Sequence, residues 1–468
     1  MIKKCFLLNA LFVLSLTVNA EALDPVKLLS EYVGIDTVNP PGNESRAVDF
    51  YADIFEQEGI EYFTAESAPG RGNIWARIKG GDLPALVLLQ HTDVVPASKE
   101  YWDTDPFIAE IKDGYLYGRG VIDMKGAGIS HLVSFIRLHR SGLSLNRDLV
   151  FVATADEEAG GVYGAGWLIE NHPEVFEGAG FLINEGGSGQ IIDGEKVFAV
   201  EITQKVPVWL RFTAVDTPGH GSSPRATSSV SRIIHALNLV RENPFEPRII
   251  PSVDSYFKSL SLKMDGKQAK AFANMKEFIT SKTFQQELQE YSPSYHALTR
   301  DTCSLTMLEG SKKINVVPPV AAAEIDCRML PDRTSEEFIQ DIRTLVEPAG
   351  VSVSVVLAFS PAVSSVDSEF FQHIAKVTQK IHPGSRVVPA VSTGFTDSHF
   401  TRDLDIDSYG FNPVLFDSGD WTGVHGNNER VKVTRFLQGT EDLHKICLLY
   451  TSDAADDTPC VDLGGRRI

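Results

Sequence analysis

The stretch Leu88-Leu89-Gln90-His91-Thr92-Asp93-Val94-Val95-Pro96 changes character within three residues. Residues 85–89 form an unbroken apolar run. Such a run predicts a strand buried on both faces, as in a parallel sheet. In an open parallel sheet, ligands bind outside the carboxyl ends of the strands. His91 and Asp93 therefore stand where ligands would bind.

The same pattern extends in both directions. Further buried strands are expected at 149–153 and 181–183, and helices at 44–58, 129–142 and 164–171. In the first helix Val48, Tyr51, Ala52 and Phe55 share one face and Gly59 ends it. This alternation predicts an α/β fold, a mainly parallel sheet flanked by helices. From 206 to 214 the apolar residues alternate instead, as in a sheet with one open face. A helix at 230–240, a polar helical stretch at about 250–300, strands at 304–308 and 321–328, a helix at 336–346 and a strand at 351–357 follow. That order is a ferredoxin-like α+β module with an insertion. The expected organisation is a leader at 1–20, a first catalytic segment at 21–204, the inserted module at 205–358 and a second catalytic segment at 359–446. Residues 447–468 resemble the translation of a sequencing adapter and are expected to be a non-native tail.

The 468 residues allow two or three domains. A net charge of −19 argues against a nucleic-acid partner. Lys3 and Lys4, the apolar run after them and Val18-Asn19-Ala20 read as a signal peptide cleaved near Ala20. The expected product is exported, periplasmic or secreted, without a stable membrane anchor. Outside the leader and the tail the cysteines are Cys303 and Cys327, on two segments of an expected hairpin. A bridge between them and two buried thiols are both open.

Three strand ends carry metal-type side chains: His91 and Asp93, then Glu157 and Glu158, then Glu185. Asp123 lies in a turn before a helix, in G-R-G-V-I-D-M-K-G, and His425 in the Gly-rich G-D-W-T-G-V-H-G-N-N-E. Singly, each feature is commonplace in loops; their joint placement at successive strand ends carries the weight. One catalytic zinc takes about three protein ligands. Two zinc ions about 3.5–4 Å apart and sharing a carboxylate would use five. Asp93 could reach the second nitrogen of His91 and fix its tautomer.

Together, H-T-D-V-V-P, Y-G-R-G-V-I-D-M-K-G, D-E-E-A-G-G, G-H-G-S-S-P, N-V-V-P-P and G-V-H-G resemble the dinuclear zinc aminoacylase and carboxypeptidase family. That family includes carboxypeptidase G, acetylornithine deacetylase and succinyl-diaminopimelate desuccinylase. The resemblance spans about 25–446, and the insertion looks most like the carboxypeptidase S and N-acyl-amino-acid hydrolase branch. It implies that His91 and Glu185 bind one zinc, Glu158 and His425 the other, and Asp123 bridges them. Glu157 would be the general base. The inserted module would be a lid and dimerisation domain, which leaves a homodimer open. His220 would meet the substrate carbonyl oxygen, often in the other protomer's site. Arg328 and Asn315 would hold the substrate carboxylate, with Gly394 and Thr396 lining the same pocket. Cobalt or manganese also suits such nitrogen and oxygen ligands.

The expected protein is thus an exported zinc amidohydrolase acting on small peptides or N-acyl amino acids with a free carboxylate. The alternatives are a zinc aminopeptidase and a non-catalytic binding protein on the same fold. His220 and Arg328 argue against the first, and the filled ligand positions against the second.

Overall fold

The structure is a computed structural model that describes residues 23–452 except 193, 263, 265 and 418–422. The expected leader and residues 453–468 lie outside the described residues.

An eight-stranded sheet forms the larger body. Its strands run in the order Tyr62–Glu66, Gly72–Ile78, Arg147–Thr154, Leu83–His91, Ala179–Ile192, Asp407–Phe416, Glu195–Gln204 and Arg386–Ser392. The four central strands, from Arg147–Thr154 to Asp407–Phe416, are mutually parallel. The first two strands pair antiparallel, and so does the hairpin between Ala179–Ile192 and Glu195–Gln204. Sequence periodicity found residues 181–183 of Ala179–Ile192 and missed Tyr62–Glu66, Gly72–Ile78, Glu195–Gln204, Arg386–Ser392 and Asp407–Phe416.

The apolar run 85–89 is explained by burial on both sides. Leu86 and Leu88 join a core under the helices Ser45–Glu58, Lys125–Ser141, Glu369–Ile381 and Val433–Thr451. Val87 and Leu89 join a second core on the opposite face with Val150, Val152 and Leu182. Each fully buried aliphatic or aromatic side chain contributes roughly 1.5–3 kcal/mol by leaving water. Ser45–Glu58 packs Ala47, Tyr51 and Phe55 inward and ends at Gly59, whose φ of 66° closes the helix in the left-handed region.

The register decides what the sheet can do. His91 pairs with Thr154, and Leu88 with Ile183. The ends of Leu83–His91 and Arg147–Thr154 are therefore level, whereas the expected third strand end is not one: Ala179–Ile192 runs on past Glu185, with an irregular register between Asn184 and Ser188 that leaves Glu185 beside the two ends.

The chain leaves this sheet at Gln204 and enters a four-stranded antiparallel sheet ordered Thr302–Glu309, Val320–Met329, Val206–Val215, Ser352–Ala358. The helices Ser229–Glu242 and Ser335–Val346 cover one face, each opened by a capping box. The ferredoxin-like strand order is complete. The other face is polar, with Arg211 paired to Glu309 and Glu324. Cys303 and Cys327 stand opposite one another on neighbouring strands and form a disulfide.

Between the helix Ser229–Glu242 and strand Thr302–Glu309, five helices from Pro251 to Ala297 form a third core around Phe257, Phe272 and Leu288. Pro251–Ser261 packs on Arg386–Ser392, the edge strand of the large sheet. The last helix does not stop at Ile446; it runs to Thr451, burying Cys447, with Tyr450 hydrogen-bonded to Glu369. Residues 447–452 of the expected non-native tail are thus packed against the large body. Among the described residues no helix is long and apolar enough to cross a membrane.

Candidate metal centre

His91 at its strand end, Glu185 within Ala179–Ile192 and the segments that carry Asp123, Glu157, Glu158 and His425 bring six predicted side chains together. His91 Nε2 lies 3.1 Å from Asp123 Oδ1 and 3.6 Å from Glu185 Oε2. His425 Nε2 lies 3.1 Å from Asp123 Oδ2 and 3.0 Å from Glu158 Oε2. Asp123 therefore stands between two ligand pairs, one oxygen toward each. Glu157 is buried and gathers with His91 and Glu185.

These separations fit two divalent ions. Ligands about 2.0–2.1 Å from a tetrahedral ion lie roughly 3.3–3.4 Å from one another. Glu158 Oε1 is buried without a hydrogen-bond partner, as an oxygen reserved for a cation would be.

Charge balance points the same way. Burial, then the neighbouring Asp123, raises Glu158; burial, then Glu185, raises Glu157 well above the carboxylate range. Glu185 is pushed up to about 8, chiefly by burial. Burial disfavours a charged His91, yet the carboxylates around it, led by Glu185, drive it well above the histidine range. Hydrogen bonds to Asp123 and Glu158 push His425 up to about 10. Despite burial, the two histidines hold Asp123 below the usual carboxylate range, while the other three carboxylates are pushed up, and a cation among them would take over the charge balance that these shifted protons supply.

Asp93 reaches the second nitrogen of His91, as expected, and does more. The nearer partner of His91 Nδ1 is the Asp93 main-chain oxygen at 3.0 Å; the carboxylate lies at 3.4 Å. That carboxylate also accepts the Glu157 and Glu158 amides and Asn39 Nδ2. It shapes the turn that carries both glutamates.

A cavity of about 440 Å³ opens beside the cluster and is lined by Arg328, Gly394 and Thr396 as well as Glu157 and His425. Asp326 binds Arg328 Nε and Nη2, whereas Nη1 is buried without a partner. Thr396 donates through N and Oγ1 to Gln204. Phe395, which sequence alone did not mark, lies under the Arg328 guanidinium at 5.3 Å.

His220 and Asn315 are not brought to this cavity. They lie at an exposed two-stranded ribbon of the inserted module, Gly219–His220 against Val316–Val317, with His220 opposite Val316 and Asn315 just before the second strand. His220 Nδ1 pairs with Ser222 Oγ at 2.8 Å.

The sequence profile of peptidase family M20/M25/M40 matches residues 87–448. The chain belongs to this family. It is a hydrolytic enzyme of the M20 type. Over 370 residues it is 33% identical to the N-fatty-acyl-amino acid synthase/hydrolase PM20D1 of Xenopus tropicalis, covering 76% of this chain and 70% of that protein. Human aminoacylase-1 is 26% identical over 427 residues, 89% of this chain and 92% of that protein. The M20 metallo-carboxypeptidase Sso-CP2 of Sulfolobus solfataricus shares the fold with a TM-score of 0.73 at 17% identity, over 92% of this chain and 99% of that one. YXEP of Bacillus subtilis, described as a dinuclear metal-binding M20 peptidase, gives 0.56 at 12% identity, over 90% and 96%.

Proposed function

We propose that this M20 hydrolase is an exported, zinc-dependent amidohydrolase that cleaves small peptides or N-acyl amino acids next to a free carboxylate. The observation that carries this is Asp123, whose two oxygens each meet a different histidine.

Bound ions would supply Lewis-acid polarisation of the amide carbonyl and activation of water at neutral pH. The chain's residues supply the rest. His91 and Glu185 would hold one ion, Glu158 and His425 the other, and Asp123 both. Glu157 takes a proton from the attacking water and delivers it to the leaving nitrogen, a transfer worth roughly 10²–10⁴-fold. Arg328 Nη1, buried and unpartnered, receives the substrate carboxylate. The kinship with PM20D1 and aminoacylase-1 favours N-acyl amino acids over peptides.

The exposure of His220 on the lid supports a homodimer in which it serves the neighbouring site. Mixing a His220→Ala chain with a Glu157→Gln chain restores activity if so. Export rests on the 1–20 segment, and the mature N-terminus of secreted protein tests it.

The deciding experiment is a hydrolysis screen of dipeptides against N-acyl amino acids, with and without chelator and with zinc, cobalt or manganese restored. Turnover insensitive to chelation would refute the proposal.

A further inference from the structure

We propose that Glu429 and Arg119 form a positioning pair that locks the Asp123 turn to the His425 loop, and so sets the spacing of the metal ligands. This rests on the metal-site assignment above.

Glu429 is fully buried. Its Oε1 accepts the amides of Ile122 at 2.8 Å and Asp123 at 3.1 Å. Its Oε2 accepts Arg119 Nη1 at 2.7 Å and the amide of Gly120 at 2.9 Å. Three of these four donors are main-chain N–H groups of the turn that carries Asp123. The main chain closes the same joint, Gly118 N donating to Glu429 O at 3.1 Å.

Arg119 completes the clamp from the other side. Its guanidinium donates to the carbonyls of Gly423 at 3.1 Å and Gly426 at 2.6 Å, which flank His425. That loop needs holding. His425 and Asn428 have φ of 54° and 59°, in the left-handed region that side chains avoid. Such conformations persist where the surroundings over-determine them. A Cβ on Gly423 would come within 2.5 Å of the Glu429 backbone, so the loop folds directly onto the glutamate that anchors it.

A buried ion pair is a poor source of stability, since apolar residues of similar volume often do as well. What apolar residues cannot do is accept three convergent amides and grip two carbonyls across the joint. The product of the clamp is the 3.1 Å contact between Asp123 Oδ2 and His425 Nε2.

The test uses Glu429→Asp, which keeps the charge but is too short to reach all four donors. Asp442→Asn, at the buried His382–Asp442 pair, is the control for a carboxylate with only a packing role. The full chain is stripped with chelator, and zinc affinity and the thermal midpoint of the metal-free protein are measured. Glu429→Asp is expected to bind zinc about 10–100-fold more weakly, with a metal-free midpoint no lower than that of Asp442→Asn. Wild-type zinc affinity in Glu429→Asp overturns the proposal, as does a loss that Asp442→Asn reproduces. If Glu429→Asp does not fold, Arg119→Lys is judged by the same two readouts. Failure of both to fold while Asp442→Asn folds marks a purely structural joint and also overturns it. A wild-type chain that binds no zinc would instead remove the metal-site assignment itself, and the proposal with it.

Discussion

Asp123 and His425 meet at 3.1 Å, Oδ2 to Nε2, while the other Asp123 oxygen lies 3.1 Å from His91. One carboxylate thus joins ligands from the first strand end and the last loop. A residue shared in this way has no substitute on either side.

Asp123→Ala is therefore expected to lose both ions, whereas His425→Ala loses one. Metal analysis of the purified proteins measures this. Retention of one tightly bound ion by Asp123→Ala would show that the aspartate does not bridge.

Glu157→Gln preserves shape and hydrogen-bonding reach but cannot accept a proton. Its metal content should match the wild type while kcat falls by roughly 10²–10⁴-fold. Loss of an ion instead would make Glu157 a ligand, which its place beside His91 and Glu185 also permits.

Arg328→Lys keeps the charge but loses the planar fork. For substrates with a free carboxylate, kcat/KM should fall about 10–100-fold, the worth of a charged hydrogen bond. Substrates with that carboxylate amidated should be nearly unaffected. An equal loss on both would place Arg328 in lid packing alone.

Lys205 sits at the crossing from the large sheet into the lid, its Nζ donating to Arg300 O and Thr302 Oγ1 at 2.8 Å each. Burial lowers its ammonium from 10.5 to about 7. Over that interval the unfolded chain holds a proton that the folded chain does not, so rising pH stabilises the fold. The lysine's contribution is complete above its unfolded value and is lost as pH falls through its folded value, with a slope of at most about 1.4 kcal/mol per unit. Urea midpoints at about pH 7 and about pH 10 should rise more steeply in the wild type than in Lys205→Met. Parallel midpoints would contradict a neutral buried lysine.

Much of this protein was legible before any fold was known. Residues 85–89 are apolar without a break because both sheet faces are covered, and that alone predicted the parallel core and its ligand-bearing end. Alternation at 206–214 predicted a sheet with one open face, where Val208, Leu210 and Phe212 face the helices and Arg211 faces out. His91, Glu157 and Glu158 were visible because strand ends are local features, whereas Glu185 stands inside a strand that runs on to Ile192.

What stayed hidden depends on contacts between distant segments. Glu429 was in view beside His425, yet a carboxylate in a loop gives no sign of accepting amides from residues 120–123. The division of labour in Asp93 between backbone and carboxylate, the bond between Cys303 and Cys327 and the exclusion of His220 from the cavity are likewise matters of register and direction. Sequence determined which side chains could do chemistry and which short stretches of chain carry them. Only the tertiary structure decided which of them meet, because separations of about 3 Å are set by packing across the sheet and not by spacing along the chain.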